Sequence, residues 1–291
     1  PEFNSEINRN AIALQLRHNY IPDPHCIYKD IFKLMPGHYL HLKENDLKKG
    51  STPKAIKYWC LLQTAINGHK NQLSINALEI QNNLEEHLKN SVKSQMLSDV
   101  PIGAFLSEAI DSSLIVSLMQ RQSIKQIKTF TIGYDQSRSN ETNHAKKIAN
   151  YLGTDHTELH FSSKSLMDII PKLHTIYDEP FSDNSQIPTF LISQLAKKKI
   201  KVVLTGDGSD ELFGGYNRYT TTNSWSKKFN FVPNLIRKFL ANNIETLSDK
   251  DFRLIFSLFS NVDKKNIISG HKTKTINALK TNNLLDLYYV L

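Results

Sequence analysis

The chain is 291 residues long, 40% hydrophobic and 22% charged, a globular composition that excludes a wholly disordered protein. No apolar run nears the roughly 18 residues that cross a bilayer, and the opening PEFNSEINRN lacks the basic-then-apolar order of a signal peptide, so a soluble, cytoplasmic protein is expected. The formal net charge of +8 is spread through stretches such as AKKKIK and WSKKF without interleaved aromatics, which argues against nucleic acid as a partner, and Cys26 and Cys60 offer neither a disulfide framework nor structural-zinc spacing.

In chain order, PEF reads as a vector-derived scar ahead of native sequence. Residues 11–42 then give a helix in AIALQLRHNY, a Pro-bounded loop in IPDPH and a hairpin-like segment ending LMPGHYLHL, with Pro36-Gly37 as the turn signal. This is too little to bury a core alone. The polar stretches KENDLKKGSTPK and INGHKNQ follow, and we place a domain boundary near residue 70. Ser74 is the expected N-cap of a helix that carries Leu78, Leu84, Leu88, Val92 and Met96 at helical spacing.

Four β-rich runs come next, VPIGAFL, IKTFTIGY, HTELHF and IKVVLTG. They alternate with a helix after Asp111, a helix in ETNHAKKIANYL closed by Gly153, and a helix in QIPTFLISQLAKKK. Such alternation predicts βαβ units, an α/β fold with a parallel twisted sheet and helices on both faces. Ligands then bind at the carboxyl ends of the strands. From Thr220 onward the chain leans helical, with LIRKFLANNI and DFRLIFSLFSNV as amphipathic candidates, and its apolar end LLDLYYVL suggests that the native chain continues.

Two of the four strand ends concentrate polar chemistry. The first, LSEAIDSS, carries Ser107, Asp111, Ser112 and Ser113; the fourth, TGDGSDELFGGYNRY, carries Gly206, Asp207, Gly208, Ser209, Asp210 and Glu211. Alone, DSS before a helix is an N-cap and GDG is a turn. Paired at the ends of two parallel strands, they read as a magnesium-nucleotide arrangement, because carboxylate oxygens suit a hard divalent cation while a helix N-terminus and hydroxyls suit phosphate.

These residues resemble the glutamine-dependent asparagine synthetases and their relatives in the ATP-pyrophosphatase (PP-loop) group. The family's loop reads Ser-Gly-Gly-x-Asp-Ser, and Ser107, Asp111 and Ser112 stand in that frame; its second motif matches Thr205 to Tyr216 almost throughout. FTIGY, YLGTDHTEL and YDEPFSDNSQIPT resemble further family segments, and LRHNYIPDPHCIYKDIFKLMPGHYL resembles the close of the amino-terminal glutaminase domain. The resemblance implies an adenine nucleotide alpha hydrolase-like domain over 71–291, shortened at its carboxyl end. Residues 1–70 would be the remnant of an α+β glutaminase domain with its linker.

By the same resemblance the chemistry is ATP-dependent amide synthesis. A carboxylate, aspartate or a related acid, is adenylated with loss of pyrophosphate, and ammonia from the glutaminase domain displaces AMP. Ser107, Asp111, Ser112 and Ser113 would hold pyrophosphate, with Asp111 and Asp210 sharing Mg²⁺. Leu106, Ile132 and the Thr205-Gly206 turn would hold adenosine. Asp207 would lie near the reacting centre, and Glu179 and Asp183 would face the substrate. The partners implied are ATP and a small carboxylate, with room for a homodimer.

The sequence departs from the family pattern in three ways. No Cys follows an initiator Met, and the chain stops before a family lysine that contacts the adenylate. The family's two loop glycines, which permit positive φ and close approach to phosphate, are replaced by Glu108 and Ala109. A like charge beside triphosphate costs about 1–4 kcal/mol at an effective dielectric near 20. The alternative reading is thus a non-catalytic remnant that binds nucleotide or a partner.

Overall fold

The computed structural model describes residues 5–45, 54–134, 141–230, 232–259 and 269–281; PEF and the closing LLDLYYVL lie outside them. The chain divides into two compact units, Pro1–Gly206 and Asp207–Leu291.

The first unit opens with α1 (Arg9–His18). Its N-cap Asn8 accepts the N–H groups of Asn10 and Ala11, and its end turns through Asn19 at φ 67°, a left-handed conformation that asparagine tolerates. Ala11, Ile21 and Ile27 gather into a small buried cluster beside it. Pro36-Gly37 makes the expected turn: Gly37 sits at φ 70°, where a side chain would also strike the Trp59 carbonyl, and β1 (His38–Tyr39) pairs antiparallel with β2 (Ile56–Lys57). Next, α2 (Leu61–Lys70) forms in sequence that reads as linker. None of its residues is buried, and local bonds such as Gln63 to Asn67 at 2.8 Å support it instead. In α3 (Ala77–Gln95) the cap differs from the expected Ser74. The helix begins at Ala77, so Asn76 is the residue placed to accept the Glu79 N–H, at 2.9 Å.

The sheet follows. α4 (Ile110–Arg121) connects β3 (Ile102–Phe105) to β4 (Lys128–Tyr134), and α5 (Glu141–Leu152) connects β4 to β5 (Asp155–Phe161). The return runs through α6 (Ser163–Met167), a 3-10 turn (Ile170–Lys172), α7 (Leu173–Ile176) and α8 (Gln186–Ala196) to β6 (Val202–Leu204). All four strands are parallel, in the order β5-β4-β3-β6. The chain therefore starts in the middle of the sheet, works outward, and comes back to the other side of β3. The carboxyl ends of β3 and β6 flank that reversal, the place where open α/β sheets form a crevice.

Helices cover both faces, as the alternation predicts. On one face Ala104, Leu106 and Leu204 pack with Val92 of α3, Val116 and Met119 of α4, and Ala145 and Ala149 of α5. On the other, Phe130 packs with Leu195 and Ala196 of α8 and with Ile200.

The second unit contains α9 (Ser209–Phe213), α10 (Asn217–Asn230), α11 (Asn234–Thr246), α12 (Asp249–Phe259) and α13 (Ser269–Lys280). The two amphipathic candidates form α11 and α12, the last residues of the second lying outside the described range. Ala241 and Ile244 pack against Ile276 and Leu279, and Phe252 is buried beside Trp225. No helix among the described residues is long and apolar enough to cross a membrane.

Candidate functional site

The turn between β3 and α4 is built by its own serines. Ser112, 9% exposed, accepts the Ser107 N–H on its hydroxyl at 3.0 Å and lies 2.8 Å from the Ser107 hydroxyl. The Ser107 hydroxyl accepts the Ala109 N–H at 3.2 Å, and Ser113 donates to the Ala109 carbonyl at 2.7 Å. All three hydroxyls thus hold the loop in shape. Ala109 is the N-cap of α4, at φ −70° and ψ 152°, and provides no side-chain acceptor. The N–H groups of Ile110, Asp111 and Ser112 consequently have no partner among the described residues, and the positive end of the helix dipole is left open. Asp111 is half-buried in that first turn, and its carboxylate also has no partner among the described residues.

The turn does not require glycine for its backbone. Among the described residues only Asn19 and Asp30 are non-glycines with positive φ, so Glu108 and Ala109 sit in ordinary conformations. Of the two costs attached to losing the family's glycines, the conformational one is absent here. The electrostatic one stands, since Glu108 is exposed at the mouth of the turn.

Gly206 forms the opposite wall. A Cβ on it would lie 2.7 Å from the Ser112 nitrogen and 2.9 Å from the Asp111 carbonyl carbon, so only glycine lets the end of β6 approach the first turn of α4 this closely. Leu106 is 2% exposed; its N–H bonds to the Phe130 carbonyl at 2.9 Å, and its own carbonyl accepts the Thr131 hydroxyl. Its backbone is committed to the sheet. Ile132 lies on β4, half-buried, and Thr205 precedes Gly206 at the end of β6.

The acidic loop opens the second unit. Gly208 (φ 89°) and Gly214 (φ 69°) bracket α9 in left-handed conformations, and a side chain at Gly215 would run into the Asp210 carboxylate. Tyr216 donates to the Glu211 carboxylate at 2.5 Å, a bond that pushes the tyrosine hydroxyl up to about 12 and lowers the Glu211 carboxyl. Asp207 is exposed and Asp210 half-buried.

The segment 177–185 behaves differently. Glu179 accepts the Ile27 N–H at 2.7 Å and lies 2.5 Å from the Lys33 ammonium. Asp183 accepts the Ser185 N–H at 2.7 Å, a bond that lowers its carboxyl. Lys33 and Ile27 are partners of Glu179 that the sequence does not reveal, because no local pattern links them to a residue so far along the chain.

Away from these loops, His156 on β5 is half-buried, its Nδ1 2.9 Å from the Thr129 hydroxyl and its Nε2 without a hydrogen-bond partner among the described residues, 3.7 Å from Glu158. Burial pushes the imidazole below its usual range, against the opposing pull of Glu158.

Among the described residues no group of three or more His, Cys, Asp or Glu side chains is arranged to hold a metal.

Residues 83–278 match the family model described as asparagine synthase. The chain is 37% identical over 211 residues to the putative asparagine synthetase [glutamine-hydrolyzing] 2 of Methanocaldococcus jannaschii, a match covering 72% of this chain and 39% of that protein. It is 30% identical over 238 residues to asparagine synthetase [glutamine-hydrolyzing] 1 of Bacillus subtilis (81% and 35%), and 35% identical over 153 residues to asparagine synthetase B of Escherichia coli (46% and 27%). The chain thus spans well under half the length of these curated relatives. With the parallel sheet, the serine-built turn and the match over most of its length, the chain belongs to the asparagine synthase family.

Proposed function

We propose that this chain carries the ATP-using half of an amide-forming ligase. A carboxylate oxygen of a small acid, aspartate or a relative, attacks the α-phosphorus of ATP; the bond to pyrophosphate breaks, leaving an acyl-adenylate. Ammonia then attacks the acyl carbon, AMP departs with the bonding electrons, and one proton is lost to give the neutral amide. The observation that supports this reading most is the open first turn of α4: three N–H groups and one carboxylate without a partner among the described residues, at the switch point of the sheet and faced by Gly206.

In this scheme the N–H groups of Ile110, Asp111 and Ser112, with the hydroxyl of Ser107 and with that of Ser113 once it turns from the Ala109 carbonyl, take up the charge of the departing pyrophosphate. Ser112 contributes mainly by keeping Ser107 in place. Mg²⁺ neutralises phosphate charge when bound, with Asp111 and, by the family motif, Asp210 as its carboxylates. Leu106, Ile132 and Thr205-Gly206 border the adenosine. Asp207 stands near the reacting carbon, and Asp183 lies on the substrate side. Residues 1–70 correspond to the close of a glutaminase domain and its linker, and ammonia is the nitrogen donor.

The test is release of AMP and pyrophosphate from ATP with ammonia and aspartate, using the longest native chain. Release that depends on both co-substrates supports the reading. No release with aspartate or with any other small carboxylate refutes it. Glu108 favours a second reading, in which nucleotide binds without turnover. Calorimetry with E108G/A109G separates the two: restored ATP binding together with AMP release returns the chain to the ligase reading, while binding without release supports the second.

A further inference from the structure

Glu179 lies on the segment expected to face substrate, yet its carboxylate is already spent on the protein. Its side chain is 20% exposed. One oxygen accepts the Ile27 N–H at 2.7 Å, and the other lies 2.5 Å from Lys33 Nζ. Lys33 is held in turn by the Ile21 carbonyl at 2.7 Å. Partial burial works to raise the Glu179 carboxyl, but hydrogen bonds from Lys33, the Ile27 N–H and Cys26, with the lysine's charge, hold it below its usual range.

A second attachment lies three residues on. The Ser182 N–H donates to the Asn19 carbonyl at 2.6 Å, and Gln15 donates to the Ser182 hydroxyl at 3.3 Å. Residues 15–33 are therefore fastened to the segment at two points. The segment is also one hydrogen-bonded piece with the start of α8: the Tyr177 hydroxyl donates to the Gln186 carbonyl at 2.7 Å, the Tyr177 ring packs edge-on against Phe181, and the Gln186 amide donates to the Asp183 carbonyl at 2.8 Å. A displacement at Glu179 must therefore carry the first turn of α8 with it.

We propose that Glu179 and Lys33 form a latch through which residues 15–33 set the position of the 177–185 segment and the first turn of α8. Glu179 is a positioning residue, and it does not touch the substrate. The latch itself rests on contacts within this chain; only its kinetic consequence rests on the ligase reading above.

Hydrogen exchange and kinetics on K33M, E179Q and the conservative K33R test it. K33M and E179Q should raise exchange at both Ile27 and Ser182 at least tenfold, with Leu204 in the sheet unchanged, while K33R stays near wild type. In an active protein, K33M should raise KM for the carboxylate several-fold and leave KM for ATP unmoved, matching E179Q. Two results overturn the proposal: Ser182 protection that persists in K33M and E179Q, or a carboxylate KM raised by E179Q alone with exchange unchanged, the behaviour of a substrate ligand. If E179Q does not fold, K33M against K33R decides. If the wild type releases no AMP, the ligase reading fails and the exchange arm alone decides the latch.

Discussion

The turn at 107–113 and the segment at 177–185 look alike in composition, each a short run of serines and carboxylates beside a helix start. They differ in where their polar groups end up. In the first, the hydroxyls bond to one another and to the loop backbone, and Asp111 and three N–H groups have no partner among the described residues. In the second, Glu179, Asp183 and the Ser182 N–H are all consumed by partners within the chain. Unspent hydrogen-bonding capacity marks a place for a ligand, since a partner-free group gains most when a ligand supplies the missing bond. Satisfied capacity marks a joint.

The comparison breaks most completely at the wall of the turn. G206A should abolish ATP binding and lower stability by about 1–3 kcal/mol, the usual cost of forcing a methyl into a packed contact, read by calorimetry and thermal denaturation. D111N should follow, cutting AMP release at least a hundredfold while the melting temperature holds, because its carboxylate bonds to none of the described residues. S112A should do the opposite. It strands the Ser107 N–H and lowers stability by about 1–3 kcal/mol, with nucleotide affinity falling only as the turn loosens. E108G/A109G should tighten ATP roughly fivefold to tenfold; the charge is exposed and water screens it, which places the effect at the low end of the Coulomb range.

The smallest effect is a pH slope with its origin outside both regions. His156 is held neutral by burial, so its folded pKa lies below the unfolded value of 6.5. As pH falls below 6.5 the unfolded chain takes up a proton that the folded chain refuses. Stability contributed at higher pH is then lost until the lower folded value is reached. Glu158 and Asp155 oppose this shift and Lys146 on α5 reinforces it. H156Q should flatten the slope of stability below pH 6.5, measured by urea titration at successive pH values.

Much of this was legible in the sequence. The four strands and the three helices between them follow from period and capping alone, and the serines and aspartate of the turn follow from their place after β3. What escaped is nonlocal or weakly patterned. The helix α2 buries none of its residues and so leaves no apolar stripe to read. The cap of α3 depends on a two-residue shift between Ser74 and Asn76, within the usual uncertainty of helix ends. Glu179 reads as an available carboxylate because its partners, Ile27 and Lys33, come from the other end of the unit. The role of Gly206 was visible only as a member of a motif; its contact with Ser112 needs three dimensions.

The strand order carries a consequence for the growing chain. β3, β4 and β5 pair with their nearest neighbours in sequence, whereas β6 must close a loop of about a hundred residues to reach β3. During synthesis the serine turn can therefore form early, on strands already emerged, yet it acquires its glycine wall only when residue 206 arrives. A nascent chain halted before β6 would hold every hydroxyl of the turn and still lack the contact that closes it, so the finished wall of the turn is among the last features this unit gains.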